Sequence, residues 1–195
     1  MHTVLSNNMY LVKHVGQPKL SKNFDIYDPN SSSVIMECRD ENSGTVSKML
    51  KRQKFPPFDL QFRTPDGQPI VRVKRGVSLT FSNTIVLDEN NEQIGSFKQG
   101  FNFSGMNLKL LDAKGNLVCR VRSKMSGKDF RFMADKIELA HITCKSAGIF
   151  KEVFRYPDNY VLSISESVPP ASTVRPLSLA AVLCIEMAHR EPRGR

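Results

Sequence analysis

Residues 175–191, "RPLSLAAVLCIEMAHRE", decide the fold. Between Leu177 and Ala188 only Ser178 and Glu186 are polar, so a helix built there is apolar on nearly every side and has to be covered. A bilayer span needs about 20 apolar residues, whereas a run of 10 to 14 more often belongs in a protein core. This run is closed by Arg175 on one side and by His189, Arg190 and Glu191 on the other. The expectation is a helix over 177–190 buried in protein, which requires a scaffold with a space for it.

Upstream, one phrase is written several times. "FDIYDPNSSSVIMECRD" (24–40), "LQFRTPDGQPIVRVKRG" (60–76), "NTIVLDENNEQIGSFKQ" (83–99), "LKLLDAKGNLVCRVRSK" (108–124) and "FRFMADKIELAHITCK" (130–145) each place an Asp-containing turn between two alternating segments. Those are hairpin signals. Asp66, Asp88, Asp112 and Asp135 stand 22, 24 and 23 residues apart, so the copies are expected to stack side by side. With "YLVKHV" near the start and "NYVLSIS" near the end, the hairpins make about twelve strands. A large antiparallel sheet curls and closes, which removes its exposed edges. A barrel of eleven or so strands has room for a central helix. The predicted class is therefore mainly β: one domain over 1–195, a closed antiparallel barrel of about twelve strands around a buried apolar C-terminal helix. "SESVPPASTVRP" (165–176) cannot be regular strand and reads as the passage from wall to interior, with Pro176 as the first helical residue. A short helix is expected at Val46–Lys51, before Pro56 and Pro57.

The chain has 28 Lys and Arg against 19 Asp and Glu, a formal net charge of +9, which favours anionic partners. In "VRVKR" and "CRVRSK" the cations alternate with Val71, Val73, Cys119 and Val121. Strand geometry sends one set inward and the other outward. The candidate headgroup-binding set is Arg72, Lys74, Arg75, Arg120, Arg122 and Lys124, with Lys98, Lys109, Lys128, Arg131, Lys145, Lys151 and Arg155 as additions. The four cysteines, Cys38, Cys119, Cys144 and Cys184, have no C-x-x-C spacing, which points to a reducing compartment. No secretory signal pattern opens the chain, and a cytoplasmic protein is expected, peripheral on the inner face of the membrane when bound to lipid.

No phosphate loop, dinucleotide fingerprint or nucleophile elbow is present, and no enzyme is expected. His141 in "LAHITC" reads as a packed or hydrogen-bonded residue, and Glu186 as a group near a barrel mouth or beside a basic partner. Phe97, Phe101, Phe103, Phe130 and Phe132 occupy apolar strand positions and read as core, so nucleic acid is not the expected partner.

"IVRVKRGVSL" (70–79), "EQIGSFKQGF" (92–101), "GKDFRF" (127–132), "AGIFKEVFRYPDNYVLSIS" (147–165) and the final helix resemble the phospholipid scramblase-related family. That family sits in the Tubby-like superfamily with the plant LURP-one-related proteins. The likeness runs from about Tyr10 to Glu191 and implies a twelve-stranded barrel around a C-terminal helix. It also implies calcium-responsive lipid scrambling, as in scramblases, or phosphoinositide binding through a basic surface, as in Tubby domains. The scramblase calcium segment resembles D-x-D-N-F-G-I. Here "YPDNYVL" keeps Asp158 and Asn159, replaces the first acid by Tyr156, and has Ser167 where a later Asp would stand. Calcium takes six to eight oxygens, several of them carboxylate. Asp158 is thus a weak calcium candidate, and no cofactor is expected. The function expected is a non-enzymatic module for anionic, phosphoinositide-type phospholipid, with scrambling implied by the resemblance alone. The alternative is a soluble scaffold or protein-interaction domain without a lipid ligand.

Overall fold

The computed structural model describes residues 2–16, 22–42, 57–76, 83–102, 105–123, 128–145 and 159–190. Twelve strands follow one another: β1 (Met9–Val15), β2 (Asn23–Tyr27), β3 (Val34–Asp40), β4 (Phe58–Arg63), β5 (Pro69–Arg75), β6 (Asn83–Leu87), β7 (Gln93–Asn102), β8 (Gly105–Asp112), β9 (Leu117–Ser123), β10 (Asp129–Ala134), β11 (Ile137–Lys145) and β12 (Asn159–Ile164). Each pairs with the next in sequence, and β12 pairs antiparallel with β1, as in Tyr10↔Leu162, to close the barrel. The closed antiparallel barrel expected from the repeat is the one observed. The expected helix at Val46–Lys51 lies outside the described residues.

The repeat has a local cause. In the loops 64–68, 88–92 and 112–116 the first residue's N–H donates to the fifth carbonyl, and the fourth N–H donates back to the first. The fourth residues, Gly67, Asn91 and Gly115, have φ of 89°, 62° and 86°. Only glycine adopts that region freely, and Asn tolerates it. The first side chain ties the loop down: Asp88 Oδ1 accepts from the Asn90 and Glu92 amides, Asp112 Oδ1 from those of Lys114 and Asn116, and Thr64 Oγ1 from Gln68. A register shift accompanies each loop, between Phe62/Arg63, Val86/Leu87 and Leu110/Leu111. These are three-residue hairpin connections closed by a bulge. Thr64, Asp88 and Asp112 are the equivalent positions, 24 residues apart, so Asp66 is displaced by two from the role its spacing suggested.

Inside the barrel lies α1, Val174–Arg190, which starts three residues before the expected 177. The Ser172 hydroxyl accepts from the Val174 amide, and Pro176 falls in the first turn, where a helix leaves N–H groups without an intrahelical partner anyway. Leu177, Ala180, Ala181, Val182, Leu183 and Ile185 are wholly enclosed, facing strand residues such as Phe62, Val73, Val86, Phe132 and Leu162. Arg175 is buried as well, a role the sequence did not announce. Its guanidinium donates to the carbonyls of Leu5, Ser6, Asn7, Val168 and Pro169 and to Asn8 Oδ1, clasping the N-terminal segment across the mouth where α1 enters. Tyr10 closes the same corner by donating to the Val4 carbonyl, and burial pushes its phenol up to about 12 despite the nearby Arg175.

Gly95 marks where the wall and the helix touch. A Cβ there would sit 2.5 Å from the Leu111 carbonyl oxygen and 2.8 Å from a Leu177 methyl. The backbone atom cannot rotate away. Gly95→Ala should therefore lower stability by about 1–3 kcal/mol, the usual range for overpacking, read as a drop in the urea midpoint. An unchanged midpoint would show that α1 does not press on β7.

Candidate functional site

Strand alternation divides the cations into groups with different surroundings. On β5, Val71 and Val73 point into the core, while Arg72 and Lys74 are half-buried on the outside. Opposite Lys74, β4 carries Asp59. Arg72 donates to both Asp59 oxygens at 2.8 and 2.9 Å, and Lys74 Nζ stands 3.6 Å from the same carboxylate. That bidentate hydrogen bond holds the Arg72 guanidinium above its ordinary value. Two cations are thus already committed to an internal anion. The signal was legible in "FDLQF" (58–62), where Asp59 alternates with Phe58, Leu60 and Phe62.

Arg75 is not on the outer face at all. It is 4% exposed, takes the inward register with Val71 and Val73, and lies over the Phe58 ring at 4.7 Å. An aromatic face attracts a guanidinium electrostatically, which offsets part of the cost of this burial. Lys124 and Asp158 lie outside the described residues. Strands β6, β7 and β8 stand between β5 and β9, so Arg72 and Lys74 do not share a patch with Arg120 and Arg122.

Around β9 the situation is different. Cys119 and Val121 are buried, and Arg120 and Arg122 are exposed between them. Registers align Lys98 on β7 with Lys109 on β8, and Lys109 with Arg120 on β9. Three exposed cations therefore stand in one cross-strand row, with Arg122 two residues along from Arg120 on the same face. At about 4.8 Å between strands the row spans on the order of 10 Å. None of the four makes an ion pair with a carboxylate of the described residues, in contrast to Arg72 and Lys74. Burial pushes the Cys119 thiol up to about 12, leaving a neutral group under the row.

The row ends at β10–β11. Arg131, opposite both Arg122 and His141, donates to Glu138 at 3.1 Å and lies 3.6 Å from Asp129. His141 Nε2 is 3.0 Å from Asp129 Oδ1, the hydrogen-bonded role expected for it. On β3, Arg39 is held by Asp25 of β2 and by Glu37 of its own strand, at 2.8 and 2.9 Å. Among the described residues, Lys98, Lys109, Arg120 and Arg122 thus form a group of neighbouring strand cations without a carboxylate partner.

Other candidates resolve into structure. Glu186, buried on α1, accepts a hydrogen bond from the Tyr160 hydroxyl of β12. Phe97, Phe130 and Phe132 are at most 1% exposed and belong to the core, where they offer no stacking platform for bases. Phe101 and Phe103 have no described side-chain position. Among the described residues no three His, Cys, Asp or Glu side chains are placed to hold a metal ion. Among the same residues no helix is long and apolar enough to cross a membrane. The strands are inverted relative to a membrane-spanning barrel, with apolar side chains inward and charges such as Asp25, Arg39, Lys109 and Arg120 outward.

A twelve-stranded barrel threaded by its own C-terminal helix, with a cationic row on one wall, places the protein among helix-filled closed barrels. The family model for Scramblase matches residues 20–191, and the chain belongs to that family. A search of curated proteins returned no match. Among solved structures it is similar to an X-ray structure of an Arabidopsis thaliana protein, LURP-one-related, with 13% sequence identity and a TM-score of 0.56. That similarity covers 93% of this chain and 92% of the other, and at such low identity it bears on the fold alone.

Proposed function

We propose that this protein is a non-enzymatic module that binds anionic phospholipid at a membrane surface through its β7–β9 wall. The observation that carries the reading is the row Lys98–Lys109–Arg120. Like charges placed directly opposite one another destabilise a sheet. The repulsion is relieved when an external anion lies across the row. A bilayer containing acidic lipid supplies such charge continuously, and each Lys or Arg near it contributes about 1 kcal/mol. A headgroup with several phosphates, as in phosphoinositides, would satisfy more than one strand's cation at once. Membership of the Scramblase family adds support from lipid chemistry.

Scrambling ranks below binding on physical grounds. Leu177 to Met187 are enclosed by the barrel, and a helix held there does not also cross a bilayer. The competing reading, a scaffold that binds an acidic protein through the same wall, predicts indifference to lipid. Vesicle sedimentation separates the two. Pellets should form with phosphatidylserine or phosphoinositide vesicles and not with phosphatidylcholine alone. Raising salt from 50 to 500 mM should weaken binding by at least about tenfold as screening shortens the reach of the charges. Equal affinity for neutral and acidic vesicles would sink the proposal. Millimolar calcium should change the affinity by less than about twofold, since a single retained carboxylate in the scramblase-like segment falls short of calcium's coordination demand. A tenfold gain would overturn that expectation.

A further inference from the structure

One rim of the barrel is acidic. The turns after β2, β4, β6, β8 and β10 all leave from one end, together with the link 165–173 that leads into α1. On that rim, residues 28–33, 64–68, 88–92, 112–116, 135–136 and 165–173 carry eight Asp and Glu against two lysines, Lys114 and Lys136. Eight against two leaves −6 on the rim, so the rest of a chain with net charge +9 carries +15. Part of the acidity has a local reason, since Asp28, Asp88 and Asp112 accept amide hydrogen bonds inside their own turns. The consequence is global: the end where α1 enters repels an anionic surface.

The cationic row lies away from that rim. Lys109, Arg120, Lys98 and Arg122 are three to six residues in from their turns. At about 3.3 Å per residue this is roughly 10–20 Å, beyond the Debye length of about 8 Å at physiological salt. The two regions therefore act almost independently on a charged surface. A barrel lying flat on its side would bring rim carboxylates near the headgroups, and tilting lifts them clear.

Building on the lipid-binding reading, we infer that the protein meets an acidic bilayer in one orientation. The β7–β9 wall lies against the headgroups, the turn rim is raised into water, and the end holding the α1 C-terminus is lowered toward the surface.

The test compares two charge changes of equal size and opposite sign on vesicles of phosphatidylcholine with 30% phosphatidylserine. Glu89→Lys with Glu92→Lys adds four positive charges at a raised turn, and binding should tighten by less than about threefold. Arg120→Glu with Arg122→Glu removes four on the wall, and binding should fall by about 100-fold or more. Glu166→Lys, in the link rather than a hairpin, gives the same reading without disturbing the 88–92 loop. A rim gain as large as the wall loss would mean that net charge alone governs binding, and the orientation would be wrong. Failure of the unaltered protein to bind these vesicles would instead remove the lipid reading itself.

Discussion

Replacing Leu183 by Asp should abolish the folded barrel. Leu183 is fully enclosed at the middle of α1, where its neighbours are apolar wall residues on all sides. Truncating such a leucine to alanine typically costs about 2–5 kcal/mol through lost burial and the cavity left behind. A carboxylate adds the penalty of burying an unpaired charge, several kcal/mol more. The sum is comparable with the whole stability of an ordinary domain, about 5–15 kcal/mol. The expected result is loss of the cooperative urea transition and of soluble protein. Leu183→Met, which conserves volume, should cost less than about 1.5 kcal/mol. If the Asp variant melts like the parent, the helix is not the core of the barrel.

The second large effect is functional. Changing Arg120 and Arg122 together to Glu removes two attractive charges from the wall and installs two repulsive ones. At about 1 kcal/mol for each cation near an acidic bilayer the change is on the order of 4 kcal/mol, a loss of several hundredfold in affinity at low salt. Both side chains are exposed on the outer face, while the core beneath them is made by Cys119 and Val121, so the fold should survive. The matched change at Arg72 and Lys74 should weaken binding far less, because Asp59 already neutralises much of that pair. Equal losses at the two places would show that β5, rather than β7–β9, carries the binding. The measurement is vesicle affinity at 50 mM salt, with circular dichroism confirming the strands.

The contrast between β5 and β9 shows where reading a sequence stops. Alternation in "VRVKR" and "CRVRSK" correctly marks Arg72, Lys74, Arg120 and Arg122 as outward. It cannot show what stands beside them, because a neighbour across strands is set by register. Asp59 and Arg72 are thirteen residues apart, as are neither Lys98 and Lys109 nor Lys109 and Arg120, which are both eleven apart. One association cancels charge and the other accumulates it. Arg75 fails for a simpler reason: by parity it belongs with Val71 and Val73, and its grouping with the outward cations followed charge instead of alternation.

Periodicity and local turn chemistry were enough to specify the wall, because hairpin pairing joins strands adjacent in the chain. The same holds for the helix: an all-round apolar segment too short for a bilayer has to be enclosed. Closure and strand register decided the rest. Only when β12 meets β1 does the Arg175 clasp across residues 5–8 come into being. Only the registers of β7, β8 and β9 turn scattered lysines and arginines into one row. Charges separated in sequence act together when a fold brings them within a screening length, and that distance is a property of the assembled barrel.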